Sequence, residues 1–304
     1  MCLFFSCNNY SYTYINLIYF LLFQPPSTED EWLEISKTFH DRWNMPHLLG
    51  ALDGKHIRIK KPKKSGSTFY NYKNYFSIIL FAMVDAEYRF RYVDVGAEGR
   101  ASDSTIWRYS AFNKDVEDAK NPLGVPDPSP FPGYDDGNLP YHFVADDAFM
   151  MCERLMKPYP TTRLTQEQRI FNYRLSRARR VVENAFGILA TRFRIFRREI
   201  EMTPEHASFI VLACVALHNY MMEEAPFAYM PKEATDWEGK DYTQHQGIWR
   251  KEKVLPGGQP TVARNRSEKV KDMRNAIANW CLTKEGELKH QWETVLKHDF
   301  YFQR

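Results

Sequence analysis

Cysteine is scarce in this sequence, with five residues among 304, at Cys2, Cys7, Cys152, Cys214 and Cys281. Their number is odd, they are scattered, and none has a close histidine partner after the first few residues. This pattern argues against a disulfide framework and against a structural zinc site. We therefore expect a reducing compartment, the nucleus and the cytoplasm.

The N-terminal region lacks an apolar run that could cross a bilayer. Its longest run covers residues 17–23 and includes Tyr19, and no basic region precedes it as in a signal peptide. We expect residues 1–24 to be a disordered or misannotated leader, and we expect no membrane partner.

The sequence also has little net charge, since 41 Lys and Arg residues stand against 38 Asp and Glu residues and give +3. Any affinity for nucleic acid must therefore come from local basic clusters. One cluster covers residues 55–64. The other is an arginine-rich stretch, residues 163–198, in which ten arginines stand against two glutamates. Such a stretch is most often a solvated helix surface.

Hydrophobic periodicity predicts alternating strands and helices. Apolar positions at steps of three and four make the arginine-rich stretch one long helix. A further helix is capped by residues 203–205, and its core over 209–217 is apolar nearly all round and should be buried. The predicted elements are a helix over 29–42, strands over 47–60, 75–84 and 89–95, a helix over 105–120 capped within 102–104, a loop over 121–140, a strand over 141–145, the helices 163–198 and 203–217, an irregular segment over 223–261 and a helix over 267–282.

Three acidic residues occupy separate predicted elements: Asp53 lies in the first strand, Asp146 follows a short buried strand, and Glu183 lies in the arginine-rich helix. Taken singly, an Asp before Gly is usually a turn residue and a helical Glu usually forms a salt bridge. The order of the elements is that of an RNase H-like α/β fold, a mixed sheet flanked by helices, here with a helical C-terminal extension. In that fold three carboxylates converge.

Four sequence blocks carry a resemblance to a known family. They are Gly50-Ala51-Leu52-Asp53-Gly54-Lys55-His56-Ile57, Gly99-Arg100-Ala101-Ser102-Asp103-Ser104, Ala145-Asp146-Asp147-Ala148-Phe149 and Ser176-Arg177-Ala178-Arg179-Arg180-Val181-Val182-Glu183-Asn184-Ala185-Phe186-Gly187. Together they resemble PIF/Harbinger-type transposases of the DDE superfamily, or domesticated nucleases derived from them, over roughly residues 25–222.

The resemblance implies a metal-dependent DNA endonuclease or transposase that cleaves phosphodiester bonds with two Mg²⁺ (or Mn²⁺) ions. Asp53, Asp146 and Glu183 match the catalytic, metal-binding positions, and carboxylates suit such hard cations. Asp103 matches a further acidic position of the family, for which a helix cap is the simpler interpretation. Asp147 is an accessory acidic candidate beside Asp146.

The chain departs from the family pattern in two places. The third block reads Ala-Asp-Asp-Ala-Phe where the family has Gly-Asp-Ser-Gly-Tyr or a close variant. The helix-turn-helix region of full-length relatives has no counterpart before Pro25, so this copy looks truncated. We expect a leader at 1–24, a nuclease domain at 25–224 and an irregular, partly helical region at 225–304.

DNA is the expected partner, and a separate Myb-like DNA-binding protein would fit the missing N-terminal region. The candidate phosphate-binding residues are Lys55, Lys60, Lys61, Lys63, Lys64, Arg177, Arg179 and Arg180. Two alternatives stay open: a catalytically silent DNA-binding or scaffold protein derived from a transposase, and an RNase H-type nuclease for hybrid duplexes. The oligomeric state also stays open.

Overall fold

The centre of the fold is a five-stranded mixed sheet with the strand order β3-β2-β1-β4-β5. A computed structural model describes residues 25–134, 137–239, 243–251, 255–257 and 267–295, so the expected leader lies outside the described residues. The strands are β1 (Leu48–Arg58), β2 (Ser77–Val84), β3 (Phe90–Glu98), β4 (His142–Val144) and β5 (Leu155–Met156). The expected RNase H-like α/β fold with a mixed sheet is confirmed.

Strand β1 is the axis of the sheet because it pairs with neighbours of both orientations. It runs antiparallel to β2, with Asp53 opposite Ala82, and parallel to β4, with Ala51 opposite Val144. Every residue of β2 is buried, as the uninterrupted apolar run predicts for a strand covered on both faces. The last strand, β5, has only two residues and lies between the predicted strand over 141–145 and the arginine-rich helix.

Helices α1 (Glu29–Trp43), α2 (Asp103–Tyr109) and α3 (Ala111–Glu117) flank the sheet. The first begins at Thr28, which forms a capping box with Glu31. The helix expected over 105–120 is two helices, and that prediction was wrong because Ser110 leaves the helical conformation (φ −62°, ψ 148°). Its hydroxyl accepts from the Asn113 N–H and starts the second helix.

The arginine-rich helix is α4 (Gln166–Arg192), a 27-residue element capped by Thr165. The predicted single helix to residue 198 was too long. Phe193 takes φ −100° and ψ 93°, and a short 3-10 turn follows at Arg194–Arg197. The chain then extends, and Ile200 forms a parallel bridge with Ile59 just beyond β1.

The next helix, α5 (Pro204–Glu224), starts with Thr203 as N-cap and proline at the first position, as predicted. The expectation that its core over 209–217 is buried all round was wrong. Leu217 and Tyr220 are 50% and 53% exposed, so only one side of the helix packs against the core. None of the helices in the described ranges is both long and apolar enough to span a membrane.

The region after α5 folds back onto α4. It comprises α6 (Pro226–Tyr229), a small β6–β7 ladder at Trp237–Glu238 and Gln244–His245, a 3-10 turn at Ile248–Lys251 and α7 (Glu268–Trp280). The buried Arg174 of α4 donates to the Gly286 carbonyl at 2.8 Å and to Gln291 Oε1 at 3.1 Å. The proposed boundary at residue 225 stays a prediction.

Candidate functional site

Asp53 lies in the middle of the central strand and is buried. Its Oδ1 accepts from the Gly54 N–H at 2.9 Å, and its Oδ2 accepts from Lys55 Nζ at 2.5 Å. Burial by itself would lower the pKa of Lys55, but the Asp53 carboxylate outweighs burial and raises it. Lys55 is therefore a fixed positive charge inside the site.

Asp103 lies beside the same strand and is 1% exposed. The cap of α2 is Ser102, whose hydroxyl accepts from the Thr105 N–H, so the interpretation of Asp103 as the cap was wrong. A Cβ on Gly54 would lie 2.1 Å from Asp103 Oδ1, so only glycine leaves room for this carboxyl group. Burial, followed by the negative charges of Asp53 and Asp146, raises the pKa of Asp103 to about 8.

Asp146 follows β4, the parallel neighbour of β1, and its Oδ1 accepts from the Ala148 N–H at 3.0 Å. Burial and then the charge of Asp53 raise its pKa. The adjacent Asp147 is exposed, and its backbone carbonyl accepts from Lys157 Nζ at 3.0 Å. The two neighbouring carboxylates thus occupy different surroundings, and Asp146 is the one coupled to Asp53.

Glu183 comes from α4, and both of its oxygens accept from arginines. Oε1 lies 2.6 Å from Arg179 Nη2, one turn earlier, and Oε2 lies 3.0 Å from Arg250 Nη2. Burial would raise the pKa of Glu183, but Arg179, Lys55 and Arg250 together outweigh burial and lower it. This carboxylate is therefore ionised and held in one orientation.

The acidic residues from separate elements form one electrostatic cluster. The negative charge of Asp53 raises the pKa of Asp103 and of Asp146. The charges of Asp53 and Glu183 both favour the charged form of Lys55. All three expected catalytic carboxylates, namely Glu183, Asp53 and Asp146, favour the charged form of Arg179. The structure thus places Asp53, Asp146 and Glu183 within electrostatic range of one arginine, Arg179, and places Asp103 within range of Asp53 and Asp146.

A segment far along the chain covers the Glu183 side of the site. Asp236 holds Arg250 through two bonds to Nε, at 2.9 and 2.8 Å, and one to Nη2 at 2.5 Å. Asn184 Oδ1 accepts from the Asp236 N–H and from Trp249 Nε1. A Cβ on Gly187 would lie 2.2 Å from the Trp249 ring. Asn184 and Gly187, in the fourth sequence block, therefore form the surface of α4 against which this segment packs.

The donor set fits a hard divalent cation, although no three His, Cys, Asp or Glu side chains across the described part of the chain are arranged tightly enough to hold one. The observation in favour is Asp103 Oδ1, which is buried and has no hydrogen-bond partner among the described residues. A buried oxygen of this kind needs a proton or a cation. Lys55 and Arg250 now contribute positive charge beside Asp53 and Glu183.

The expected DNA-binding arginines of α4 have internal partners. Arg177 Nη2 lies 2.9 Å and Arg180 Nη2 lies 3.5 Å from the Glu238 carboxylate, and Arg179 binds Glu183. Phosphate contacts by these arginines would require the ion pairs to open, so these contacts stay predictions. The lysines of the 60–64 stretch, namely Lys60, Lys61, Lys63 and Lys64, are exposed.

Sequence reasoning missed Asp236, Glu238 and Arg250. They lie in the stretch that was expected to be irregular, and no spacing links them to α4. The unusual arginine content of α4 is the one signal that could have suggested them, because buried arginines need carboxylate partners.

Comparison with known proteins finds one family. The family described as DDE superfamily endonuclease matches residues 52–219, which include Asp53, Asp103, Asp146 and Glu183. No solved structure matches the chain.

Among similar proteins is "Protein ALP1-like" of Arabidopsis thaliana, 28% identical over 193 residues, covering 62% of this chain and 47% of that protein. The proteins named "Putative nuclease HARBI1" from Rattus norvegicus and Homo sapiens are each 25% identical over 201 residues, covering 65% of this chain and 52% of theirs. The chain spans about half the length of the curated relatives it matches. Since the family match covers more than half of its residues, this chain belongs to the DDE superfamily endonucleases.

Proposed function

We propose that this chain is a metal-dependent DNA endonuclease of transposase ancestry. The observation that carries the proposal is the cluster in which Asp53 from β1, Asp146 after β4 and Glu183 from α4 all act on Arg179, while Asp53 and Glu183 also act on Lys55. A structural salt bridge needs one carboxylate for each cation. Here several carboxylates share a site beside the central strand, which is the arrangement that phosphodiester cleavage by divalent ions requires.

Asp53, Asp146 and Glu183 would hold Mg²⁺ or Mn²⁺, which supplies an activated water and stabilises the leaving oxygen of the phosphodiester. Asp103 would add a fourth carboxyl group, because its Oδ1 has no partner within the described ranges. Arg179 favours the ionised forms of Glu183 and Asp146. Lys55, at 2.5 Å from Asp53, orients that carboxylate. The rigid central strand and α4 thus fix the acidic groups before substrate arrives.

The test is nicking of supercoiled plasmid with Mg²⁺ or Mn²⁺. We expect Glu183→Gln to abolish nicking, because the amide keeps the shape of the side chain but loses the charge. DNA retention should persist, since Glu183 contributes no positive charge. A matched control is Glu201→Gln, which removes a carboxylate from an exposed ion pair with Lys60. Full activity of Glu183→Gln would remove that residue from the site.

One observation favours a second candidate, a catalytically silent DNA-binding protein. Both oxygens of Glu183 already accept from arginines, and Asp53 accepts from Lys55, so the carboxylates are neutralised by the chain itself. A protein kept for its partners would need no metal in this site. The plasmid assay separates the two candidates, because this alternative predicts DNA binding without nicking at any metal concentration.

Further parts of the proposal concern the setting of the enzyme. A Myb-like partner would supply sequence-specific DNA recognition, and the nucleus would be the place of action. Strand transfer, the second reaction expected from the resemblance, would use a DNA 3′-hydroxyl in place of water. Co-purification, imaging of the tagged chain and a strand-transfer assay test these parts separately.

A further inference from the structure

Two basic segments that lie far apart in the sequence meet beyond one end of the sheet. Strand β1 ends at Arg58, and α4 is followed by the 3-10 turn that starts at Arg194. Ile59 and Ile200 form a parallel bridge, and the Ile200 N–H donates to the Arg58 carbonyl at 3.0 Å. The two segments are separated by more than 130 residues in the sequence.

The joined segments form a surface that we name the basic ridge. The ridge is defined by six exposed basic side chains from these two segments: Arg58, Lys61, Lys63, Lys64, Arg194 and Arg198. The nearby Lys60 is partly neutralised, because it lies 3.0 Å from Glu201. The ridge is therefore a local concentration of positive charge on a chain whose net charge is only +3.

Two side chains of the ridge are supported by aromatic rings. The Arg58 guanidinium lies 4.4 Å from the centre of the Tyr75 ring, and Lys61 Nζ lies 5.5 Å from the centre of the Phe76 ring. Such contacts limit the freedom of long cationic side chains at little cost to their charge. Ordered cations on a surface are suited to a partner with regularly spaced negative charges.

The ridge continues the two elements that carry the catalytic carboxylates. From Asp53 to Arg58 a strand rises about 17 Å, and from Glu183 to the end of α4 at Arg192 a helix rises about 14 Å. The two elements run side by side, since Lys55 of β1 lies 5.5 Å from the Phe186 ring of α4. At about 3.4 Å per base pair, the ridge lies roughly four to five base pairs from the acidic cluster.

From this geometry we propose that the basic ridge is the surface that holds duplex DNA beside the cleavage site. The inference rests on the proposed nuclease function, and it assigns to Arg194 and Arg198 the role first expected of Arg177, Arg179 and Arg180. The α4 arginines are engaged with Glu238 and Glu183, whereas the ridge faces solvent. The contacts are with phosphates and carry no sequence information.

The experiment compares two triple variants of the full chain in EDTA, with a 30-base-pair duplex and fluorescence anisotropy across a range of KCl concentrations. The ridge variant is Lys61→Gln, Arg194→Gln and Arg198→Gln. The control is Lys37→Gln, Lys284→Gln and Lys289→Gln, which removes the same charge from exposed positions elsewhere. Thermal unfolding should be alike for both, because all six side chains are exposed.

Each lost phosphate contact should lower the affinity for DNA roughly tenfold at 0.1 M salt. It should also make the slope of log affinity against log salt concentration shallower by about 0.9. We expect a slope change of about 3 for the ridge variant and less than a twofold affinity change for the control. In a separate assay with Mg²⁺, the nicking rate of the control variant should match that of the unaltered chain. Equal losses of DNA affinity in both variants, or no loss in the ridge variant, would contradict the assignment of DNA binding to the ridge. Either result would leave the nuclease proposal standing. A chain that binds no duplex at all would overturn both.

Discussion

Arg250 offers a sharp test of how the C-terminal segment supports the acidic cluster. Its guanidinium is shared between Asp236, whose side chain is 5% exposed, and Glu183, whose side chain is 18% exposed. Arg250→Gln leaves both carboxylates without this partner. Breaking a fully buried ion pair costs about 3–5 kcal/mol, because the remaining charge is uncompensated.

Two features reduce the expected cost. The Arg250 side chain is itself 31% exposed, so water screens part of the interaction. Asp236 also keeps the Gly247 N–H at 2.8 Å, and Glu183 keeps Arg179. We therefore expect Arg250→Gln to lower the free energy of unfolding by roughly 2–3 kcal/mol, or Tm by about 4–10 °C.

Scanning calorimetry of four variants measures this loss of stability. Arg250→Gln, Asp236→Asn and their double variant form a cycle, in which the double variant should lose less than the sum of the single losses by at least about 1 kcal/mol. Arg42→Gln is the control, since Arg42 and Glu87 form an exposed pair at 2.8 Å that should contribute less than about 1 kcal/mol. Additive losses in the cycle, or equal losses for Arg250→Gln and Arg42→Gln, would refute the reasoning.

Two further predictions concern the glycine and the aspartate that shape the site. Because the folded-state pKa of Asp103 is raised to about 8, its protonated form stabilises the fold at low pH and that stability is lost as pH rises from about 4 through 8. Asp103→Asn, which stays neutral, should be less dependent on pH in EDTA and should melt higher than the unaltered chain at pH 9; a uniform loss of Tm at every pH would contradict this. Gly187→Ala should lower stability by about 1–3 kcal/mol in urea unfolding, although Ala normally favours a helix by about 1 kcal/mol, because the new methyl group meets the Trp249 ring. Adding Trp249→Ala should remove much of that penalty, and a stabilising Gly187→Ala would show that the ring does not pack there.

The strands of the sheet were predictable because burial on both faces requires an uninterrupted run of apolar residues. The apolar run of β2 and the polar-to-apolar alternation at the end of β1 identify strands without knowledge of their partners. The division between α2 and α3 was not predictable, because Ser110 is neither Gly nor Pro and acts by local hydrogen bonds. The two-residue β5 owes its existence to its pairing with β4.

The acidic trio was identified from separate blocks, but its cationic surroundings were not. Arg250 meets Glu183 across 67 residues, and Glu238 meets Arg177 across 61. Such pairs leave no periodicity, so no pattern within one element can reveal them. Asp103 was assigned to a cap by its position after Ser102, and only the fold shows that its side chain faces β1.

Arg174 has a practical consequence for anyone who shortens this chain. Its guanidinium is completely enclosed and relies on Asn44, Gly286 and Gln291 for its hydrogen bonds. A fragment that stopped after α5 would keep every expected catalytic carboxylate, yet it would lose the Gly286 and Gln291 acceptors and the Trp280 ring beside this guanidinium. We therefore expect expression boundaries chosen from the family match alone to give a less stable chain than boundaries that include residues 267–295.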